Sequence, residues 1–501
     1  MEHINWIHNL PFFSIFIAMF AILLTAMFRT AKMAKRIHMT MMCIVVILSA
    51  ILTYHMAVAP ETFTFTMGHY PAPWGNELTA GPLEALMALV FGTVMLLSVM
   101  GGWVFIEKDV LQEKQYLYYI MLDAAMGAML ALIYTNDIFT AYVFIEINTL
   151  AACALVLAKG TATAMVGATH YLIMGLLGSG LFLFGVSILY SITGHLLLPQ
   201  IGEAVTVLAA SGQYHFALLI ATAFLFIALA IKSGLFPFHT WLPVAHPIAI
   251  PASSAILSGF VVKGYVIFAI KLMYSVFSVE FMHELGIIDI LFVFGVLGMV
   301  FGSLSAMRQR KMKKILAYSS VAQIGYIYMG VGLGTEIGLT AACFHMIAHG
   351  FTKSMLFLCA GSFVKQCGNI DDMDQMRGIA YKNPVAGIGY TIGAMSMIGI
   401  PLLAGFISKL YFATASIFSE GKMAASLLVL GISMILNALY FLPSVMAIWT
   451  TKKGMQEAKR ANISPWFITS IVLLLCINVG LGVWYQPVIE LIEVGLQLLQ
   501  K

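Results

Sequence analysis

Apolar segments of membrane-spanning length recur along this chain from one end to the other. Of its 501 residues, 61% are hydrophobic and 10% are charged, whereas a soluble globular protein carries about 25% charged residues. A helix needs roughly 20 apolar residues to cross a bilayer. The pattern predicts an all-α polytopic membrane protein with about fourteen spans, at 9–28, 38–58, 82–106, 115–134, 137–158, 164–190, 214–246, 250–275, 285–306, 314–333, 337–366, 385–417, 424–449 and 466–487.

Lysine and arginine are distributed unevenly over the predicted loops. With the N-terminus outside, only Lys271, Lys422 and Lys501 fall in outer loops. A miscounted span would exchange the sides of all later loops, so the asymmetry supports the span count and outer termini. We therefore expect an integral protein of a bacterial or archaeal cytoplasmic membrane. The inner loops hold Arg29, Lys32, Lys35, Arg36, Lys108, Lys114, Lys159, Arg308, Arg310, Lys311, Lys313, Lys314, Lys365, Arg377, Lys382, Lys452, Lys453, Lys459 and Arg460.

The remaining basic residues are lysines within spans. An ionisable side chain at the bilayer centre costs on the order of 3 kcal/mol or more, so such residues indicate a functional site. Glu146 and Asp123 are carboxylates at comparable depth. The four lysines are Lys232, Lys263, Lys353 and Lys409.

Two of the long spans contain helix breakers beside a lysine. Residues 228–247 read ALAIKSGLFPFHTWLPVAHP, and SMIGIPLLAGFISKL places Pro401 just before Lys409. Corresponding interrupted helices in two halves of a chain are typical of inverted repeats with a site at the breaks. We predict discontinuous helices 7 and 12, with spans 1–3 in 1–110, repeats in 111–280 and 281–450, and the last span and tail in 451–501.

Lys232 and Glu146 form a predicted pair. Burial lowers the proton affinity of a lysine and a nearby carboxylate raises it. A carboxylate that approaches and retreats would therefore switch a proton-binding site. The alternative is a structural salt bridge that only joins two helices.

Further ionisable groups extend this hypothesis to a proton path. Lys263 and Lys409 are proton-carrying candidates, with a buried, hydrogen-bonded lysine as the alternative. His345, His349 and Lys353 recur every four residues and so share one helical face. Histidine exchanges protons near neutral pH, which suits a relay. Paired histidines can also bind metal, but the sequence offers no third ligand.

His239, His170 and Asp123 are secondary candidates for the path. His239 lies beside the first break, and Asp123 could instead bond to the backbone of a neighbouring helix. None of the six cysteines forms a C-x-x-C pair, and the basic residues sit in short loops. We therefore expect no metal, no cofactor and no nucleic-acid partner for this chain.

The assembled motifs resemble a known family. YVFIEINTLA, AIKSGLFPFHTWLPVAHP, KKILAYSSVAQIGYI, HMIAHGFTKSMLFLCAGS and PLLAGFISKL are similar to the antiporter-like subunits of NADH:quinone oxidoreductase, Mrp-type cation/proton antiporters and energy-converting hydrogenases. The resemblance covers about residues 80 to 450 and implies fourteen helices, two inverted five-helix repeats and redox chemistry only in partner subunits. It implies proton-path roles for Glu146, Lys232, Lys263, His345, His349 and Lys409. The sequence departs from the family at Val244, where an acid is common, and at His170, where a lysine is common.

These observations predict a proton-translocating subunit of a multisubunit membrane complex, an enzyme only if its partners carry redox sites. Its expected partners are other membrane subunits, the lipid bilayer and H⁺, with Na⁺ as a second candidate ion. One alternative is a secondary transporter for a small solute, which would have a solute cavity near the breaks. The other is a non-pumping scaffold subunit whose lysines could be replaced together without loss of ion transport.

Overall fold

The chain is almost wholly helical in the computed structural model, which describes residues 6–70, 72, 74–451 and 461–499. The first part contains α1 (Leu10–Phe28), α2 (Ala31–Val58), α3 (Pro82–Asp109), α4 (Gln115–Tyr134), α5 (Ile138–Leu157), α6 (Ala162–Thr193), α7 (Leu198–Ser211), α8 (His215–Ser233), α9 (Leu242–Ile248), α10 (Pro251–Ile256) and α11 (Val262–Leu272). The second contains α12 (Val279–Glu284), α13 (Ile287–Met307), α14 (Met312–Gly332), α15 (Glu336–Gln366), α16 (Ile379–Lys382), α17 (Pro384–Ile398), α18 (Ala404–Ile417), α19 (Met423–Trp449), α20 (Pro465–Val483) and α21 (Gln486–Leu499).

Short polar side chains mark where many of these helices begin. Asp137 Oδ1 accepts the backbone N–H of Thr140 at 2.6 Å, and Thr335 Oγ1 accepts that of Gly338 at 3.1 Å. Such caps satisfy N–H groups that have no partner within the helix. Loops of a few polar residues can therefore separate long apolar helices.

Twelve helical segments in the described part of the chain are long and apolar enough to cross a membrane. They correspond to twelve of the predicted spans. The two other predicted spans correspond to Met312–Gly332 and to the interrupted pair α17 and α18. The predicted helical membrane-protein architecture is therefore confirmed, with one short β-hairpin in addition.

One face of the bundle carries both described ends of the chain, and we call it the terminal face. His8 Nε2 lies 3.1 Å from Glu61 Oε1, and the hairpin β1 (Phe63–Thr66) and β2 (Glu77–Ala80) follows. Bridge Leu78↔Thr135 joins this hairpin to the loop before α5, and bridge Asp137↔Leu197 joins that loop to the loop before α7. The amphipathic α21, which the sequence did not predict, packs against the start of α3 because Gly495 allows close contact with Leu83.

The opposite face collects the basic loops, and we call it the basic face. Lys35 pairs with Glu107 at 2.6 Å, and Lys365 with Asp109 at 2.8 Å. Asp371, in the loop after α15, accepts the backbone N–H of Met312 at 2.8 Å. Burial raises the pKa of the Asp371 carboxyl. The charge of Lys313 and the backbone N–H groups of Met312 and Lys313 oppose this effect. Lys452, Lys453, Lys459, Arg460 and Lys501 of the predicted loop assignment lie outside the described residues.

Both predicted helix interruptions are present. The first separates α8 from α9 at Gly234, whose φ of 76° is the left-handed conformation that glycine adopts readily. The second separates α17 from α18 at Gly399, with a φ of 102°. Chain breaks of this kind leave helix-end carbonyls inside the bundle, where buried side chains must satisfy them.

Candidate functional site

Six lysines are buried among the described residues, two more than the sequence predicted at depth. The prediction that Lys271 and Lys313 lie in loops is wrong. Lys271 belongs to the last turn of α11, and its ammonium donates to Ile133 O at 3.1 Å. Lys313 lies in the first turn of α14, beneath the end of α9. Backbone carbonyls satisfy both side chains, which apolar periodicity could not reveal. The six are Lys232, Lys263, Lys271, Lys313, Lys353 and Lys409.

Lys232 lies two residues before the first break and reaches two neighbouring helices. Its Nζ donates to Thr149 Oγ1 of α5 at 2.6 Å and to Ser179 Oγ of α6 at 2.5 Å. Both hydroxyls use their own protons elsewhere, on the carbonyls of Ile145 at 2.7 Å and Gly175 at 3.1 Å. They can therefore only accept from Lys232, which matches a protonated ammonium, a group with donors alone.

The predicted partner of Lys232 is near but separate. Glu146 lies three residues before Thr149 on α5 and is partly exposed. No ion pair joins Glu146 to a basic residue within the described part of the chain, so the predicted pair with Lys232 is not formed in this structure. The Lys232 ammonium instead donates hydrogen bonds to two hydroxyl groups.

A second polar contact continues this region onto α11. Asn148 Nδ2 donates to Tyr265 Oη at 2.5 Å, and both side chains are fully buried. The stem of Lys232 passes over Gly178, where a Cβ would lie 3.3 Å from it. Sequence reasoning missed Asn148, Thr149, Ser179 and Tyr265, because small polar residues in helices are common and only packing shows which ones face a lysine.

Lys263 is fully buried and lies two residues after the π-helical segment Leu257–Val261. Its ammonium donates to the Ser258 carbonyl, and the Ser258 hydroxyl lies 3.0 Å from that of Ser320 on α14. A π-helical turn often marks a functional position, since it displaces backbone carbonyls from the regular ladder. Lys263 is thereby connected with the second half of the chain.

The predicted row on α15 is buried throughout. The His345 and His349 rings lie 5.9 Å apart with planes inclined by 17°, and Lys353 follows one turn later. Lys353 Nζ donates to Leu316 O at 2.9 Å and to the Ser319 hydroxyl of α14. Consecutive residues of α14, Ser319 and Ser320, therefore contact the surroundings of Lys353 and of Lys263.

The end of the row lies at the second break. Ser408 Oγ is 2.8 Å from His345 Nδ1, and the next residue, Lys409, donates to Met397 O at 2.9 Å. The Lys409 ammonium also lies 5.3 Å from the centroid of the Tyr326 ring, within the range of a cation–π contact. Helix α18 therefore places a histidine partner and a lysine side by side.

Two fully buried histidines were not predicted. His246 of α9 stacks on Phe357 at 5.1 Å, and neither of its ring nitrogens has a hydrogen-bond partner among the described residues. The same holds for the ring nitrogens of His349. His38 Nδ1 lies 2.5 Å from Asp123 Oδ1, so Asp123, a secondary candidate for the path, pairs with a side chain and not with the backbone of a neighbouring helix. Histidines within apolar helices carry no sequence signal that tells packing from hydrogen bonding.

The two secondary histidines lie outside this buried row. His170 of α6 is exposed, and His239 is half-buried and stacks on Phe236 at 5.4 Å. Within the described ranges, no cluster of three or more His, Cys, Asp or Glu side chains could hold a metal ion. The geometry instead brings together buried ionisable side chains.

Comparison with known proteins agrees with the motif resemblance. The family model described as "NADH:quinone oxidoreductase/Mrp antiporter, TM" matches residues 135–437. The chain is 30% identical to NADH-quinone oxidoreductase subunit N of Desulforudis audaxviator, covering 77% of this chain and 75% of that one. It is 28% identical to a Na⁺/H⁺ antiporter subunit of Alkalihalophilus pseudofirmus, covering 85% and 83%.

Solved structures share the fold. A chain of the Mrp complex from a Dietzia species aligns with a TM-score of 0.88 at 22% identity, covering 99% of this chain and 100% of that one. A chain of an archaeal membrane-bound sulfane sulfur reductase aligns with a TM-score of 0.86 at 24% identity, covering 99% and 97%. The architecture is therefore that of membrane subunits in multisubunit complexes.

Proposed function

Because the chain belongs to the NADH:quinone oxidoreductase/Mrp antiporter transmembrane family, we propose that it moves protons across a membrane as one subunit of a larger complex. Its relatives include subunits of an NADH-quinone oxidoreductase and of a Na⁺/H⁺ antiporter. The observation that carries the proposal is the buried row of ionisable groups between the two helix breaks. Its members are Lys232, Lys263, Lys353, His349, His345 and Lys409.

The proposed topology has fourteen crossings. Helices α8–α9, α10–α11 and α17–α18 each count as one crossing, while α7, α12, α16 and α21 lie at the faces. The basic face carries most Lys and Arg, which supports placing it on the cytoplasmic side with both termini outside. The two breaks support inverted repeats of α4–α11 and α13–α19, close to the predicted units 111–280 and 281–450. A bacterial or archaeal cytoplasmic membrane suits this arrangement.

In the proposed mechanism, Glu146 controls the first station. Lys232 is held as an ammonium by two acceptor hydroxyls while Glu146 stays apart. Movement of Glu146 toward Lys232 raises the proton affinity of the lysine, and its retreat lowers it. The subunit then has two states that differ in where the proton is held.

The later stations pass the proton on. Lys263 and Lys353 share the serine pair of α14, and His349 and His345 lead from them to Ser408 and Lys409. The histidine ring nitrogens that lack a hydrogen-bond partner among the described residues suit bound water, which usually bridges buried polar groups. No cofactor is required in the chain for this transfer, and partner subunits supply the driving reaction or the counter-ion.

The test uses the complex purified with its native partners and reconstituted in liposomes. We expect simultaneous replacement of Lys232, Lys263 and Lys409 by Met to reduce proton transport by about 10²-fold or more, as for removal of proton-transferring groups. Unchanged transport in an intact complex would identify a scaffold subunit. Transport of an organic solute by the isolated chain would identify a secondary transporter.

The identity of the copurified partners decides which reaction drives the subunit. Mass spectrometry of the purified complex should find other membrane subunits. Small antiporter subunits would support a cation/proton antiporter, whereas redox subunits would support an oxidoreductase or hydrogenase complex. Imposing a Na⁺ gradient on the same liposomes tests Na⁺ as a second ion.

A further inference from the structure

A buried ion pair lies outside the row described above, near the terminal face. Lys271, on α11, is 3% exposed, and its Nζ lies 3.6 Å from Glu84 Oε1 of α3. This distance is longer than a hydrogen bond. The hydrogen bond of the ammonium goes to Ile133 O, at the end of α4. The lysine is therefore attracted by the carboxylate without being tied to it.

Glu84 is held in place by its own helix. Its Oε2 accepts the backbone N–H of Gly81 at 3.1 Å, in the first turn of α3. The N-terminal end of a helix favours negative charge, which suits a carboxylate side chain at this position. Glu84 thus provides a fixed negative charge beside Lys271.

A polar cavity connects Lys271 with the terminal face. Its volume is about 510 Å³, and it opens between the β-hairpin, α7 and the segment Met273–Phe277. Lys271 forms part of its lining, together with two acids and several hydroxyl-bearing side chains. A cavity of this size with several polar partners suits water. The acids are Glu77 and Glu203, and the hydroxyl groups belong to Thr62, Thr64, Thr79, Thr206, Tyr274, Ser275 and Ser278.

Helix α11 carries both Lys271 and Lys263, a member of the buried row of ionisable groups. It follows Lys263 by eight residues of α11, which corresponds to about 12 Å along the helix axis. π-helical segments flank this helix on both sides, at Leu257–Val261 and Met273–Phe277. The same short helix therefore joins the centre of the bundle to the polar cavity.

We propose that Lys271, with Glu84 as its fixed counter-charge, is the outer proton port of the first half of the chain. The inference rests on the proposed function. The Lys271 ammonium releases its proton to water in the cavity and becomes a neutral amine. The amine then accepts a proton that originates at the Lys263 ammonium, while Glu84 remains a carboxylate throughout. Transport in the other direction reverses these steps.

The groups that face this pair define its pH response. Tyr134 of α4 interacts with Glu84, Glu77 and Glu203 lie on the cavity wall, and Tyr274 follows Lys271 on the same segment. The acids favour a charged lysine at this position. The outer pH should therefore act on transport through Lys271 itself.

The substitution Lys271→Arg in the reconstituted complex distinguishes a role of Lys271 in proton release from a purely structural role. Arginine keeps the charge and the ion pair but does not deprotonate in proteins. We expect proton transport to fall at least about tenfold. The matched control is Lys422→Arg on the same face, where Lys422 donates to Gly332 O at 2.8 Å and contacts Asp289 at 2.6 Å. The control should change transport by less than about twofold, because Asp289 is exposed and arginine keeps the positive charge beside it.

Glu84→Gln is a second test, which does not depend on whether an arginine side chain fits into the site of Lys271. Glutamine preserves the capping hydrogen bond with Gly81 and removes the charge. Without the carboxylate, Lys271 loses its proton more easily, so the dependence of transport on outer pH should shift to lower pH. Wild-type transport with an unchanged outer-pH profile in both Lys271→Arg and Glu84→Gln would overturn the proposal.

Chemical labelling tests the port without measuring transport. In vesicles with the terminal face outward, a membrane-impermeant cationic thiol reagent should modify Lys271→Cys. Leu272→Cys, the matched control, should resist because Leu272 is fully buried and does not line the cavity. Protection of both cysteines would contradict the port. Two results together would separate the port from the central path. If Lys271→Cys is labelled and transport survives the loss of Lys232, the port is supported and the central path is contradicted.

Discussion

The two interrupted helices hold their lysines in different ways. At the first break, Lys232 leaves its own helix and donates to hydroxyls on α5 and α6. At the second, Lys409 turns back across the break and donates to Met397 O at the end of α17. The first lysine therefore depends on the positions of neighbouring helices, and the second depends on the break itself.

The difference indicates a division of roles. Glu146 lies on the same helix as Thr149, so a small movement of α5 changes both an acceptor and a nearby charge for Lys232. Lys409 forms no ion pair with any described carboxylate, and its carbonyl acceptor cannot change protonation. We infer that the first break holds the switchable station and the second a fixed one.

The largest effect should follow loss of either lysine. We expect Lys232→Met and Lys409→Met each to reduce proton transport by the reconstituted complex about 10²-fold, because each removes a proton-carrying group. Lys422→Met, outside the row, serves as the control. A complex that keeps wild-type transport after loss of Lys409 would leave the second break without a role.

Loss of the mobile charge should have the next largest effect. Glu146→Gln keeps the shape of the side chain but removes its influence on Lys232, and we expect transport to fall about tenfold, the change expected from one pKa unit. The measurement is the initial rate of proton uptake. Wild-type rates in this variant would contradict the switch at the first break.

The glycines at the breaks provide a matched pair of substitutions. Alanine at Gly399 or Gly234 must adopt a left-handed conformation, at a cost of about 1–2 kcal/mol in stability. The Gly399 Cβ would lie 2.8 Å from Lys409 Cδ, whereas the Gly234 Cβ would meet Leu242 at 2.9 Å. Thermal unfolding should shift similarly in both. Only Gly399→Ala should displace Lys409, a proposed proton carrier, and so lower transport at temperatures where both variants remain folded.

The smallest effect should follow loss of one acceptor. Thr149→Val removes one of two hydroxyls that bind Lys232, at a net cost of about 0.5–1.5 kcal/mol, equivalent to roughly two- to tenfold in proton affinity. The expected result is a modest shift in the pH dependence of transport. Ser408→Ala, near the fixed station, should leave that pH dependence where it is and slow only the transfer; a shift there of the same size would remove the distinction between the stations.

Several features could be read from residue order because their causes are local. Apolar segments and helix breakers act within a few residues, so they predicted the positions of the helices, of both interruptions and of the lysines beside them. The Lys and Arg residues of short loops likewise predicted which loops lie on the same face of the bundle. The sequence predicted a pair of Glu146 and Lys232, whereas in the structure Lys232 donates to hydroxyls of α5, the helix of Glu146, and of α6.

The sequence by itself determined that this is a membrane-spanning, helical member of its family, with costly charges beside two breaks. A bilayer requires long apolar segments and makes an isolated charge costly, so both features can be recognised from the sequence alone. Only the tertiary structure decided which acceptors hold each lysine, that Asp123 pairs with His38, and that Lys271 and Lys313 are buried. Those outcomes depend on side chains brought together across the bundle, often by backbone carbonyls that every residue carries and no sequence pattern distinguishes.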